Sequence, residues 1–169
     1  MVVFGVQASD LTPAQKVTLK AAILAEAPLA QAVADRTDSV IADYCNAAVV
    51  PAQKAWKVSY SATDLFSATD LNVYIARSVA ERQAYDLLIT IGTINPTSTS
   101  IRSGVMNIFS GIAAPVVAQR SAILTDMTRP ATWCEVKLGG TAATSDTVTA
   151  LRLNWSGTLQ TNDISNLLN

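Results

Sequence analysis

The stretch Trp133-Cys134-Glu135-Val136-Lys137-Leu138 is where the apolar pattern of this chain changes period. Cys134, Val136 and Leu138 alternate with Trp133, Glu135 and Lys137, the period-2 pattern of a strand with one covered face. Gly139-Gly140 breaks the run, and a Thr/Ala/Ser loop extends to Asp146. Thr149, Leu151, Leu153 and Trp155 then alternate against Val148, Ala150, Arg152 and Asn154. Two alternating runs joined by a loop that starts on glycine predict a β-hairpin. An isolated hairpin is marginal in water, so this one must pack on helices of the same chain or on another chain. Thr161 to Leu168 reads as a short closing helix or tail.

Upstream of Pro130 the apolar period is helical. Thr12, Pro13 and Gln15 form a helix start, with Thr12 as cap, Pro13 in the first turn and a T-x-x-Q capping box. Leu11, Ala14, Val17, Ala21 and Leu24 follow at spacings of three and four, and Pro28 ends the helix. A second helical stretch runs from about Asp38, limited by Pro51. Ala55 to Tyr60 fits either a helix turn or a short strand. The duplicated hexads Ser61-Ala62-Thr63-Asp64-Leu65-Phe66 and Ser67-Ala68-Thr69-Asp70-Leu71-Asn72 offer Thr and Asp as caps, so they read as a capping loop, or else as a contact loop for a partner. Two copies are too few for a solenoid. The next helix starts near Thr69 or restarts at Ser78, where Ser78-Val79-Ala80-Glu81 is a capping box, and it ends at Gly92. Ser98 or Thr97 caps a helix carrying Ile101, Val105, Ile108 and Phe109. Pro115 opens another with Val116, Ile123 and Met127 on one side, interrupted by Arg120.

The expected fold is therefore mainly α, a small helical bundle with a C-terminal β-hairpin and an extended N-terminal arm. Residues 1–9 are the arm, 10–130 the helical domain, and 131–169 the hairpin and tail, packed on the same domain or on a neighbouring subunit.

Composition narrows the chemistry. The chain has 169 residues, half of them hydrophobic and 15% charged, which argues against disorder and allows one self-sufficient core. Twelve basic residues stand against thirteen acidic ones, and a polybasic nucleic-acid binder needs a surplus of positive charge. There is no histidine, which removes Ser-His-Asp and Cys-His catalysis and most catalytic zinc sites. Cys45 and Cys134 match no metal or redox spacing; they read as two small buried apolar residues, with one bridge left open. The N-terminal run lacks a basic region and is shorter than a signal-peptide core, and no stretch approaches a membrane span. A protein made in a reducing cytoplasm is expected.

The search for catalytic motifs finds no Walker loop, GxGxxG, GxSxG or EF-hand pattern. The three glutamates, Glu26, Glu81 and Glu135, lie in different elements, so no carboxylate pair is indicated. Glu81 reads as the capping partner of Ser78. Seven arginines outnumber five lysines, and all but Arg36 lie from Arg77 onward. They read as surface ion pairs, with Asp86 or Asp126 for example, or as interface residues. The expectation is no enzyme, no catalytic residue, no cofactor and no metal. Val2, Val3, Phe4 and Val6 have nothing local to bury against, so the arm folds back on its own core or adds a strand to a neighbouring subunit's sheet. With Leu65 and Phe66 of the duplicated loop and Trp133 and Trp155 of the hairpin, they are the interface candidates, and a homo-oligomer is expected.

The run Tyr74-Ile75-Ala76-Arg77-Ser78-Val79-Ala80-Glu81-Arg82, then Ala84-Tyr85-Asp86-Leu87-Leu88, resembles a family of small tailed-bacteriophage proteins, virion-associated and of the neck or tail type. The likeness continues through Gly92, Asn95-Pro96, Ile101-Arg102, Gly104 and Ile108-Phe109-Ser110-Gly111, and covers residues 10–111. Beyond that, family members carry a basic helix and a Gly/Thr-rich turn, where this chain offers Arg120, Arg129 and Gly139-Gly140-Thr141. The resemblance implies a phage origin and identifies no catalytic residue. With the arm and hairpin, it leads to the expectation of a virion structural component, a neck or tail subunit of the head-tail connector region assembling into a symmetric ring. Its partners would be itself and other virion structural proteins, with no sequence-specific nucleic acid and no membrane. The alternatives are a non-virion phage protein that binds a host protein and a capsid decoration protein.

Overall fold

Thr12 accepts the Gln15 amide on its hydroxyl, and its own amide donates to the Gln15 side chain at 2.9 Å. Helix α1 (Pro13–Ala25) accordingly begins where the T-x-x-Q pattern puts it. The computed structural model describes residues 11–169; the arm, with Val2, Val3, Phe4 and Val6, lies outside the described residues. After α1 come a 3-10 turn (Ala27–Leu29), α2 (Ala30–Ala34) and α3 (Asp38–Asn46). Next are β1 (Lys54–Trp56), β2 (Tyr60–Ser61), α4 (Ala62–Ser67), α5 (Leu71–Ile75), α6 (Val79–Ile91) and β3 (Thr93–Ile94). The chain continues through α7 (Thr99–Ile108), α8 (Ala114–Asp126), β4 (Thr128–Pro130), α9 (Trp133–Lys137), β5 (Gly140–Ser145), β6 (Val148–Leu153) and α10 (Thr161–Leu168).

The mainly helical bundle expected from the sequence is corrected. The chain is 57% helical and 15% strand, with a four-stranded mixed sheet among its described residues, and is a mixed α/β structure. The sheet runs in the order β4-β1-β6-β5, and β2 pairs with β3 in a separate antiparallel ribbon, Tyr60 opposite Ile94. Its parallel pair is β1 with β6, Ala55 opposite Leu151. Strands of three residues carry no readable alternation, and a partner so far along the chain leaves no local signal.

The hairpin is also corrected. Trp133 to Lys137 is a helix, because Thr132 caps it: the Glu135 amide donates to the Thr132 hydroxyl and the Thr132 amide to Glu135 Oε2 at 3.0 Å. The two strands of the actual hairpin are β5 and β6, so the segment read as a loop is the first of them. Asp146 turns it at φ 52°, a left-handed conformation that Asp tolerates better than most residues. Thr144 and Thr149 face each other across the pair and share a hydrogen bond of 2.9 Å.

The described residues divide into two compact units, each discontinuous in sequence. The first comprises the chain up to Gln53 with Pro130–Thr141 and Leu153–Asn169. Leu19, Ile23, Ile41, Cys45, Cys134 and Ile164 are wholly buried at its centre. Asn46 clasps the approach to α10, its Nδ2 donating to the Leu159 carbonyl (2.8 Å) and its Oδ1 accepting the Leu159 amide (2.9 Å). On α1 the buried side chains are Leu19 and Ile23, while Val17 and Leu24 from the expected stripe are exposed. Gln15, Lys16, Thr18 and Lys20 of that helix are spread around it rather than gathered on one side, so periodicity alone does not select its inner face.

The second unit comprises Lys54–Arg129 and Ala142–Arg152. Trp56, Tyr60, Leu65, Tyr85, Phe109 and Ile123 are among its core residues. The first hexad copy is helix α4, capped by Ser61, whose hydroxyl accepts the Asp64 amide. In the second copy Asp70 caps α5. Thr69 is buried there, its hydroxyl donating to the Leu65 carbonyl (2.7 Å) and accepting from Tyr85 (2.9 Å).

Candidate functional site

In the first unit a half-open cavity of about 480 Å³ lies between Glu26 at the end of α1, Tyr44 of α3, the segment from Ala47 to Gln53, and Trp133, Val136 and Lys137 of α9. Its polar wall is a chain of contacts. The Tyr44 hydroxyl donates to Glu26 Oε1 (3.0 Å), and Lys137 Nζ stands 3.4 Å from Glu26 Oε2. The same ammonium lies 5.0 Å from the centre of the Trp133 ring, which meets Tyr44 edge-on at 5.6 Å. Desolvation, and after it the hydrogen bond to Glu26, hold the Tyr44 phenol above its ordinary pKa. Both oxygens of Glu26 and the charge of Lys137 are thus engaged, and the rest of the lining is largely aliphatic. Such a cavity accommodates an apolar group; its acid and base are spent on each other.

The thiols of this unit are shielded. Cys45 and Cys134 are free and buried. Burial pushes the Cys45 pKa up to about 12 and that of Cys134 up to about 11. Both are neutral thiols at physiological pH, the form that is a poor nucleophile and metal ligand. Among the described residues no group of three Cys, Asp or Glu side chains is placed to hold a metal ion. Also among them, no single helix is long and apolar enough to cross a membrane.

In the second unit the polar side chains secure turns. Arg120 grips Asp146 through two bonds, Nε at 3.0 Å and Nη2 at 3.1 Å, and donates to the Phe109 carbonyl (2.9 Å). Arg77 donates to the Ser110 carbonyl (3.0 Å), and the Ser110 hydroxyl donates to Glu81 (2.7 Å). The aspartates named from sequence as arginine partners bind tyrosines: Asp86 accepts from Tyr74 (2.8 Å) and Asp126 from Tyr60 (2.6 Å).

Of the interface candidates among the described residues, Phe66 is exposed, whereas Leu65, Trp133 and Trp155 belong to the two cores. Trp133 also lines the cavity, beside Glu26, Tyr44 and Lys137, which sequence reasoning did not bring together. They come from three elements distant in sequence, and no local pattern marks them as neighbours. Comparison with protein-family models, with curated proteins and with solved structures finds no match to this chain.

Proposed function

We propose that this chain is a structural subunit of a tailed-bacteriophage particle, assembling as a symmetric ring in the neck or tail and having no catalytic role. The observation that carries this reading is what the residues of the phage-like run do. Arg77, Ser78, Glu81, Arg82 and Ser110 all hold backbone in place: Ser78 and Glu81 cap α6, Arg82 clasps the carbonyls of Ile75 and Arg77, and Arg77 with Ser110 fixes the end of α7. Side chains spent on holding backbone rather than facing a ligand suit an architectural role, and a ring is the closed form of a repeated head-to-tail contact. Exposed apolar side chains such as Phe66, Ile75 and Ile112, the last 98% exposed, supply surface for such contacts.

The test is quantitative mass spectrometry of purified particles, with this chain counted against the major capsid protein. A low copy number that matches a ring symmetry is expected. Hundreds of copies would transfer the chain to the capsid surface as a decoration protein, and absence from the particle would overturn the structural reading in favour of a host-directed factor.

A further inference from the structure

The two edges of the four-stranded sheet are built differently. On one side stands β4, three residues long, with a charge at Arg129 and with Pro130, which has no N–H to offer. On the other stands β5, six residues of Gly, Thr, Ala and Ser without charge or proline. Its pairing with β6 fixes which of its backbone groups are spent. Thr144 lies opposite Thr149, their hydroxyls 2.9 Å apart, and the Gly139 carbonyl accepts the Asn154 amide (3.0 Å). Hydrogen-bonded and non-bonded pairs alternate along an antiparallel ladder, so Thr141, Ala143 and Ser145 turn their backbone groups toward β6. Gly140, Ala142 and Thr144 turn theirs outward, and all three residues are exposed. A row of outward N–H and C=O groups, on a strand with neither charge nor proline to guard it, is a template for one more strand.

What fits this edge is an extended, uncharged segment rich in β-branched and aromatic side chains. The chain carries one outside its described residues, Val2-Val3-Phe4-Gly5-Val6, and no charged side chain stands before Asp10. Ten residues precede Leu11, and fully extended they reach roughly 33 Å. That is enough to leave one copy and lie along a six-residue strand of another, which spans about 20 Å. We infer that Val2–Val6 of one copy add a strand to the outer edge of β5 of the next copy. Arm and edge are different surfaces of one chain, so each copy gives one and receives one, and a head-to-tail contact of this kind closes into a ring. The choice of a second copy as donor rests on the ring reading above, whereas the choice of β5 as acceptor rests on the edge itself.

Complementation between two blocked full-length chains tests this. Phe4→Asp spoils the arm and leaves β5 intact. Ala142→Pro removes an outward N–H and leaves the bonds to β6 in place. Ala142→Lys keeps every N–H and adds the charge that β5 lacks, so it serves if the proline unfolds the strand. In sedimentation velocity at about 100 μM the wild type is expected to assemble, and each variant alone to stay at the single-chain 17.8 kDa with the wild-type melting curve. Phe4→Asp mixed with either Ala142 variant should give a two-chain species and nothing larger, because one sound arm and one sound edge remain per pair. Amide exchange should be slow at Gly140, Ala142 and Thr144 in the wild-type assembly and fast in Phe4→Asp, with Thr141, Ala143 and Ser145 slow in both. A wild type that stays single, a folded edge variant that assembles, or a mixture of single chains would each overturn the inference. Edge amides that are equally slow in Phe4→Asp would do the same. Chains that complement each other but are absent from particles would remove the ring reading alone, whereas particle rings that persist with Phe4→Asp and Ala142→Lys would remove the arm-to-edge contact alone.

Discussion

Arg102 brings a full charge into the second unit, where it is 2% exposed. Its bonds go to neutral oxygens: Pro96 carbonyl at 2.6 Å, Thr97 carbonyl at 2.8 Å, Ser145 hydroxyl at 2.8 Å and Thr99 hydroxyl at 3.2 Å. The guanidinium also lies 4.7 Å from the centre of the Trp56 ring, whose own indole N–H donates to the Ala143 carbonyl (3.1 Å). One planar fork thus ties the turn before α7 to β5 and to β1. Removing a charge from a core can stabilise when its partners are removed with it, but here the carbonyls stay behind, and each unsatisfied buried acceptor costs about 1–3 kcal/mol. Arg102→Met is therefore expected to lower stability by about 3 kcal/mol in urea denaturation. Arg102→Lys should cost at least as much, since an ammonium is harder to desolvate and cannot span the fork. A loss below about 1 kcal/mol in both variants would mean that the carbonyls find other donors. In the sequence Arg102 is the one charged residue of α7 and reads as solvent-facing, and only the tertiary placement of Trp56 and Ser145 turns it inward.

The helix starts were the most legible elements, because a capping box is a local device. Thr12 with Gln15 and Ser78 with Glu81 both sit where their spacing indicates. The Ser78 box also has a pH signature. Hydrogen bonds from Ser110, then from Ser78, hold the Glu81 carboxyl below its ordinary pKa. A carboxylate whose folded pKa is depressed contributes stability that is present above its unfolded value and lost as pH falls through the folded one. Glu81→Gln keeps an acceptor for the box and loses only a charge that solvent screens, so it should cost a few tenths of a kcal/mol near pH 7, roughly 0.5 at most. The gap between variant and wild type should narrow as pH falls through the carboxylate range, compared at about pH 7 and about pH 3 in paired urea titrations. A gap that is the same at both pH values would mean that the charge plays no part. The box at Thr132 and Glu135 is equally local and was hidden by a competing signal. Over six residues the alternation of Cys134, Val136 and Leu138 fits a strand, while the step from Cys134 to Leu138 fits a helix as well. Strand β5 had the opposite difficulty: Gly140-Thr141-Ala142-Ala143-Thr144-Ser145 is an edge strand, exposed along most of its length, and without a covered apolar face it reads as a loop.

At the scale of the whole chain, the backbone passes between the two units four times, after Gln53, Arg129, Thr141 and Arg152. A division into continuous segments at residues 130 and 131 is natural from composition, since the apolar period changes there, but it cuts across both units. The first unit draws Trp133, Cys134, Leu138, Trp155, Leu159 and Ile164 from beyond that point. The second draws Val148 and Ala150, which pack with Trp56, Tyr60 and Ile123. Losing a large buried side chain costs roughly 2–5 kcal/mol. Removal of six from one core thus exceeds the ~5–15 kcal/mol by which a domain is stable. A chain ending at Arg129 is accordingly expected to lack a cooperative thermal transition and to show collapsed amide dispersion by NMR, even though it retains the sequence of eight of the helices and the whole of the phage-like run. The competing outcome is specific: a cooperative melt of residues 1–129 would mean that the helices up to α8 make a core of their own and that the segments after Pro130 are additions to it. Between these outcomes lies the reason that long-range organisation escaped the sequence. Caps and turns are encoded by residues three or four apart, whereas the two cores are assembled by returns of the chain that no local spacing records.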